Sequence, residues 1–263
     1  MEIKKYKFDW NDLKSQKVFE SSVQNLSMPN RFLQQTESLI KNFGFLKTHL
    51  ILDFGCGTGE HAILFKEMGF NIIGYDQSEY YITKGKKISV KEGFKVDLIH
   101  SADSLKSYEG SFDFIYTIDF PIYYINEDSI RSVLRSLYGL LRDDGEFLFG
   151  FPYTRENREK YLPINKWNEI EGVLHLSDTQ IDSDGNRFER YIVVDSKRGT
   201  LTEWIDEARY YYLNEIKEFL TNSKFNICDQ FENLDKKISP NPIDVHYLYC
   251  KKGDVDTFTQ PNT

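Results

Sequence analysis

A glycine-rich turn between two short apolar runs limits this chain more than any other feature of it. Leu50, Ile51 and Leu52 form a continuous apolar run, as a strand does when helices cover both its faces, and Asp53 followed by Gly55, Gly57 and Gly59 interrupts it. Glycines at alternate positions lack a Cβ, so the backbone can turn sharply there and a ligand can lie against it. From about Glu60 to Met68 the apolar residues Ile63, Leu64 and Phe65 sit on a helical segment that Gly69 closes, and Asn71 to Asp76 returns as a second strand. Strand, turn, helix, strand is the repeating unit of an open α/β sheet. It sets Asp76 at the carboxyl end of the second strand, beside the turn, where a carboxylate can accept hydrogen bonds from both hydroxyls of a ribose.

The glycine spacing separates two ligands. A dinucleotide turn is spaced G-x-G-x-x-G and rests a pyrophosphate on a helix N-terminus. Here the spacing is G-x-G-x-G, with an acid two positions before the first glycine. Asp53-x-Gly55-x-Gly57-x-Gly59, with Asp76 at the end of the next strand, resembles motif I of the class I S-adenosylmethionine-dependent methyltransferases, small-molecule type. The resemblance implies that S-adenosyl-L-methionine is the cofactor, that the turn holds its methionine and ribose part, and that Asp76 binds the ribose hydroxyls. The cofactor-binding set it implies is Asp53, Gly55, Cys56, Gly57, Gly59 and His61 on the turn, and Asp76 and Gln77 after the second strand. Ala102 and Asp103 after the third strand and Ile118 at the end of the fourth complete it. In that family an acid placed as Asp103 is holds the adenine amino group; read locally, a helix cap or turn residue is the lesser alternative. Leu140 to Leu148 looks like the Leu-Lys-Pro-Gly-Gly stretch of small-molecule methyltransferases, with acidic residues where the proline and second glycine usually stand.

At 263 residues the chain is long enough for one large α/β domain or for a domain carrying a sizeable insertion. Its 33 basic and 41 acidic residues give a formal charge of -8, a poor match to a phosphate backbone, so no nucleic-acid partner is expected even though a local basic groove could hide in an acidic average. Cys56, Cys228 and Cys250 are odd in number and far apart, which suits a reducing compartment and offers no metal spacing. The start, Met-Glu-Ile-Lys-Lys-Tyr, lacks the apolar core of a signal peptide, and no run approaches the length of a membrane helix, so a cytoplasmic protein with no membrane partner is expected.

Taken in order, residues 1–46 predict an N-terminal helical lid or cover without a sustained strand pattern, ending in a helix over Arg31 to Phe43 with Asn30 as its cap and Gly44 as its stop. Residues 47–152 with 213–252 predict the cofactor-binding core, a doubly wound, seven-stranded, mostly parallel Rossmann-like sheet. Its third strand is Lys95 to His100, its fourth Phe112 to Ile118 and its fifth Glu146 to Phe151, and Phe225 to Phe231 with Val245 to Cys250 make a closing hairpin. Between them, 153–212 changes texture: three segments alternate at period two and are separated by Asp182-Ser-Asp-Gly-Asn186 and Lys197-Arg-Gly199, which predicts an inserted antiparallel β-sheet acting as a lid over the acceptor site. Residues 253–263 read as a flexible tail.

Methyl transfer from a sulfonium is an SN2 displacement, in which positioning alone can supply roughly 7 to 11 kcal/mol and a dedicated base is not obligatory. Asp119 follows the fourth strand and His175 lies on an inserted strand, so both are base candidates, and Tyr123 completes the candidate catalytic set. Tyr124, Tyr210, Tyr211 and Tyr212 are further candidates for aromatic faces near the sulfonium. His246, in a late strand, reads as structural. The resulting expectation is a methyltransferase acting on an N, O or C atom of a small metabolite, with room for a homodimer through the inserted sheet. Two alternatives remain: a catalytically silent methyltransferase-like binding subunit, and a nicotinamide-dependent oxidoreductase, which the glycine spacing disfavours. Asn241-Pro-Ile resembles a DNA-base methyltransferase signature but stands near the last strand, and Asp119-Phe-Pro-Ile lacks the paired proline and aromatic.

Overall fold

A computed structural model of the chain describes residues 2–7, 9, 12–17, 30–161, 164–170, 172–238, 241 and 244–253. They divide into two compact units: a smaller one of residues 1–27, 122–126 and 153–213, and a larger one of 28–121, 127–152 and 214–263.

The larger unit is built on a seven-stranded sheet. Its strands are β2 (Leu50–Phe54), β3 (Asn71–Tyr75), β4 (Asp97–Ile99), β5 (Phe112–Thr117), β6 (Leu141–Gly150), β11 (Phe225–Phe231) and β12 (Tyr247–Lys252). They lie in the order β11-β12-β6-β5-β2-β3-β4, and β12 runs antiparallel to both its neighbours while the remaining pairs are parallel. Parallel neighbours need crossover connections. These are α2 (Glu60–Glu67), α3 (Glu79–Lys91), the short α4 (Ala102–Lys106) and α5 (Glu127–Leu140), while α1 (Arg31–Asn42) precedes the sheet and α7 (Leu213–Asn222) leads into β11. The expected doubly wound, mostly parallel sheet with its closing hairpin is therefore present.

Local chemistry explains the elements. Ile51, Leu52, Phe114 and Ile115 are buried on both faces of the central strands, and α5 contributes Ile130, Leu134, Leu137 and Leu140 at helical spacing. Ser78 caps α3 by accepting from the Tyr81 amide at 3.2 Å. The phenylalanine surplus is spent in one core: Phe45 stands edge-on to Phe114 at 4.6 Å and to Phe65 at 5.4 Å, and Phe65 stacks on Tyr116 at 5.8 Å. The Asp143-Asp144-Gly145 stretch, which lacks the usual proline and second glycine, lies within the start of β6, and a Cβ on Gly145 would come within 2.9 Å of the Arg142 carbonyl oxygen. Arg142 forms ion pairs with Asp113 and Asp144 there.

Gly85 shows how closely α3 approaches the glycine turn. A Cβ at this position would stand 2.3 Å from the backbone oxygen of Thr58 and 2.9 Å from Leu98 Cδ1. Alanine in a helix interior normally gains about 1 kcal/mol over glycine; here an immovable carbonyl occupies the space. The Gly85→Ala protein is expected to lose about 2 kcal/mol, a fall in Tm of roughly 4–8 °C by circular dichroism. An unchanged or raised Tm would mean that the helix and the turn can separate at no cost.

The smaller unit is a five-stranded mixed sheet in the order β1-β10-β9-β8-β7. Its strands are β1 (Glu2–Lys7), β7 (Ile164–Ile170), β8 (Val173–Ile181), β9 (Asn186–Asp195) and β10 (Thr200–Arg209), and α6 (Arg155–Tyr161) precedes β7. Strands β7 to β10 form an antiparallel meander, so the insertion has four strands where three were expected. The turn between β8 and β9 is closed by Asp182, whose Oδ1 accepts from the amides of Asp184 and Asn186 at 2.9 Å.

The N-terminal expectation needs correction. Residues 13–17 are helical and 18–29 lie outside the described residues, but Glu2–Lys7 is a strand that pairs parallel with β10, from Glu2 opposite Thr200 to Lys7 opposite Ile205. Three lysines in six residues hide the strand signal. On an edge strand such charges suit a solvent-facing position and blunt further pairing. Lys5 and Lys7 pair with Glu203 and Glu207 at 3.1 and 2.9 Å, and Tyr6 stacks on Trp204 at 5.6 Å. The expected tail falls almost wholly on 254–263, outside the described residues.

Candidate cofactor site

The site grows from the β2–α2 turn. Gly55, Gly57 and Gly59 have φ of 80°, 57° and 77°, values that a side chain strains to adopt. The amides of Gly55 and Cys56 both donate to the Tyr75 carbonyl, at 2.7 and 3.0 Å, which ties the turn to the end of β3. Asp76 finishes the frame: its Oδ2 accepts from the Gly57 amide at 2.9 Å and its Oδ1 from the Ser78 amide at 2.8 Å. Each carboxylate oxygen has a second acceptor position. Burial raises the Asp76 pKa, and the two backbone donors work against that shift. A Cβ on Gly57 would meet nothing within 4 Å, whereas one on Gly55 would stand 3.7 Å from the Phe120 ring, so the turn is open over Gly57 and walled at Gly55. Phe120 itself packs on Phe54 at 5.9 Å and Phe149 at 5.8 Å, and Tyr75 stacks on Phe54 at 5.1 Å.

Asp53 lies beneath the turn, 2% exposed. Burial raises its pKa to about 8, opposed by the Tyr116 hydroxyl and helped by the charges of Glu60 and Asp76. An acid whose folded pKa exceeds its unfolded value favours the fold below about pH 4, and that contribution fades as the pH rises towards 8. Its Oδ2 is buried without a hydrogen-bond partner among the described residues. Cys56 is also buried, and desolvation pushes its thiol well above the usual range, so it is a packing residue rather than a nucleophile.

Helix α1 supplies what the sequence did not announce. Arg31, in its first turn, forms an ion pair with Asp119, two residues beyond β5. One helical turn on, Gln35 Oε1 lies 3.1 Å from His61 Nε2, and Phe32 meets the His61 ring edge-on at 5.1 Å. His61 is buried; desolvation first and the Arg31 charge second bring its pKa down to about 3. A depressed histidine favours the fold above its unfolded pKa and opposes it progressively below about pH 6.5. Its ring is therefore neutral and turned to α1. Asp119 adopts a left-handed φ of 54°, a conformation that aspartate tolerates better than most residues with a side chain, and its side chain is 45% exposed.

The other expected positions fall into two groups. In the larger unit, Ile118 packs partly buried against the core and Gln77 is exposed beside Asp76. Ala102 and Asp103 open α4, where Ser101 Oγ caps the Ser104 amide and Asp103, 89% exposed, pairs with Lys106 at 2.9 Å. Tyr123, Tyr124, Tyr210, Tyr211, Tyr212 and His175 belong to the smaller unit. Tyr123 packs on Tyr124, Tyr210 and Tyr153 with ring centroids 4.6, 5.3 and 6.2 Å apart, and burial drives its hydroxyl pKa up. His175 Nδ1 is 2.5 Å from the Tyr191 hydroxyl across β8 and β9, and partial burial lowers its pKa. The His246 backbone pairs with Phe231 and Phe151.

Comparison with known proteins agrees with this frame. Residues 51–145 match a family model described as a methyltransferase domain. A protein of Geobacillus sp. that bears a methyltransferase name is 32% identical over 113 residues, 42% of this chain and 45% of that relative, so the chain spans less than half the length of this curated relative. Among solved structures, an S-adenosylmethionine-dependent methyltransferase from Clostridium acetobutylicum superposes with a TM-score of 0.69 at 17% identity, over 92% of this chain and 98% of that one. A sugar N-methyltransferase from Streptoalloteichus sp. gives 0.64 at 12% identity, over 95% and 96%. The glycine turn fits the cofactor those titles imply. The backbone is open over Gly57, Asp76 keeps acceptor capacity for a ribose, and Asp53 Oδ2 below has no hydrogen-bond partner among the described residues. Residues 51–145 thus match a methyltransferase domain, and the chain shares the strand order and fold of S-adenosylmethionine-dependent methyltransferases.

Proposed function

We propose that the protein is a methyltransferase that moves a methyl group to an N, O or C atom of a small-molecule acceptor. The observation that carries this reading is the Asp76 carboxylate, which accepts from the amides of Gly57 and Ser78 on one side and retains acceptor positions on the other, over a glycine turn with open space above Gly57. When bound, S-adenosylmethionine would supply an electrophilic methyl on a sulfonium, so displacement needs alignment more than acid–base chemistry.

The chain's own residues divide that work. Asp76, with Gln77 beside it, would hold the ribose hydroxyls; the backbone of Gly55 to Gly59 and the Phe120 ring would bound the methionine part and exclude water from it. Ala102, Asp103 and Ile118 fall to the adenine side by their place in the chain. Asp119, held by Arg31, is the carboxylate available to an acceptor proton. Tyr123 and His175 belong to the smaller unit, to which acceptor recognition is assigned in this reading. The acidic charge of -8 and the sugar N-methyltransferase among proteins of like fold favour a small acceptor over nucleic acid.

Titration calorimetry with S-adenosylhomocysteine, against NADH as control, tests the reading. Micromolar binding of the former alone is expected, followed by turnover with some member of an amine, phenol and acid panel. Binding of NADH without S-adenosylhomocysteine would overturn it, and cofactor binding without turnover across the panel would leave a binding subunit.

A further inference from the structure

The tyrosine cluster of the smaller unit holds two guanidinium groups, and among the described residues only one of them has its charge matched. Arg187 pairs with Glu189 and Asp206 and donates to the Tyr124 hydroxyl. Arg158, in α6, stands over the Tyr153 ring at 4.4 Å and the Tyr210 ring at 5.5 Å. It is half-buried, and its Nε is fully buried with no hydrogen-bond partner among the described residues. Nor does any described carboxylate form an ion pair with it. Glu156, two residues before it, has both oxygens on the Leu213 amide, at 3.0 and 3.1 Å. Elsewhere in the unit Arg190 and Arg198 pair with Glu203 and Asp195, and Arg155 donates to the Ser183 carbonyl at 2.5 Å. Arg158 departs from that pattern.

Resting on the proposed function, which assigns acceptor recognition to this unit, we infer that Arg158 receives an anionic group, a carboxylate or a phosphate, on the small-molecule acceptor. Cation–π contact with two rings satisfies part of its charge but none of its five N–H donors. A guanidinium drawn half out of water without an anion costs free energy, and a carboxylate or phosphate recovers it, with two parallel bonds where its oxygens meet the fork. The cluster's own acids do not supply that anion, because Arg187 holds both. Arg187 also stands 5.8 Å from the Tyr210 ring, so one ring serves two like charges, and an anion on Arg158 relieves their repulsion. The Tyr210 hydroxyl feels both: burial raises its pKa, and the charges of Arg187 and then Arg158 oppose the rise. The base of Arg158 is fixed. Its amide donates to the Thr154 carbonyl at 3.2 Å, and the buried Asn157 accepts from the Thr154 amide at 3.1 Å, which locks the first turn of α6. Tyr153, the nearer ring, is 39% exposed, so a small molecule can reach the guanidinium there and lie against that ring.

Benzoate, phenyl phosphate and the neutral benzamide serve as probes, titrated by ligand-observed NMR into the full chain without cofactor and into Arg158→Gln and Arg158→Lys. The unsubstituted protein is expected to bind the better of the two anions about 10-fold or more tighter than benzamide, the span of one charge-assisted hydrogen bond. Which anion binds tighter decides between a carboxylate and a phosphate on the acceptor. Arg158→Gln should bring the anions to within about threefold of benzamide, and Arg158→Lys, which keeps the charge without the fork, should retain part of the preference. Benzamide binding as tightly as the anions, binding of none of the three, or a preference that survives in Arg158→Gln would overturn the assignment. The comparison of probes on the unsubstituted protein decides even where a substitution impairs folding. Titration of the same protein with S-adenosylhomocysteine separates the two readings. Cofactor binding without a preference for anions strikes the role of Arg158 alone, whereas that preference without cofactor binding strikes the proposed function and leaves the anion site standing.

Discussion

Asp76→Ala is expected to weaken S-adenosylhomocysteine binding by 100-fold or more while the protein stays folded. The carboxylate is expected to do two things at once. Towards the protein it accepts the Gly57 amide at 2.9 Å and the Ser78 amide at 2.8 Å, so it sets the turn that the cofactor must enter. Towards the ligand it offers the acceptor positions left over. A hydrogen bond to a charged partner contributes about 1.5–3 kcal/mol, and two lost to the ribose correspond to roughly a hundredfold or more in Kd. The cost to stability is smaller, because burial raises the Asp76 pKa and removing the carboxylate relieves that desolvation. The sign of the pH effect follows. An acid with a raised folded pKa favours the fold fully below its unfolded value of 3.8, and the contribution is lost as the pH rises through the folded one. The variant should therefore compare better with the parent at pH 7 than at pH 4 in urea unfolding. Asp76→Asn separates the roles: it keeps the shape but turns one acceptor into a donor that faces a backbone amide, and roughly a 10- to 100-fold loss is expected. Retention of affinity within threefold in Asp76→Ala would remove this residue from the site.

How far the sequence reveals this molecule depends on sequence distance. Three glycines and an acid within seven residues state the turn locally, and only the 17 positions from Gly59 to Asp76 must be bridged by a regular helix and strand to complete the frame. The Arg31–Asp119 contact joins residues 88 apart, and Gln35 meets His61 from 26 positions away; no period or spacing announces either. His61 is the instructive case. Its place after the turn suggests a ring beside a ligand, and no sequence pattern tells that Gln35 and Phe32 of α1 pack against that ring. Gly85 is silent in the sequence for another reason: within a helix a glycine looks like a weak point, and only the Thr58 carbonyl oxygen, 2.3 Å from where a Cβ would stand, explains why no other residue suits it. Strand β1 escapes a reading by pattern because its lysines answer to the edge of a sheet and not to its core.

The second large effect is expected in the smaller unit, at Arg187. This residue of β9 is 4% exposed, yet it carries a charge. Its Nη1 lies 2.5 Å from Glu189 Oε2, its Nη2 pairs with Asp206 and donates to the Tyr124 hydroxyl at 3.2 Å, and its guanidinium stands over the rings of Tyr124 at 5.0 Å, Tyr123 at 5.5 Å and Tyr210 at 5.8 Å. Register explains the meeting: Glu189 faces Asp206 directly across β9 and β10, and Arg187, two residues along β9, shares their face. The cluster in which the candidate Tyr123 sits is thus organised by a cation. Arg187→Ala would leave Asp206, whose side chain is 12% exposed, without its partner, and removing one member of a buried ion pair costs about 3–5 kcal/mol. Arg187→Lys keeps the charge without the fork and should fall between. Trp167 and Trp204 lie in the smaller unit, so tryptophan fluorescence during urea unfolding reads its stability directly. A loss below about 1 kcal/mol in Arg187→Ala would show that the carboxylates find other partners. The tyrosines would then have to be positioned by packing alone, without the cation that now opposes the rise that burial imposes on the Tyr123 pKa.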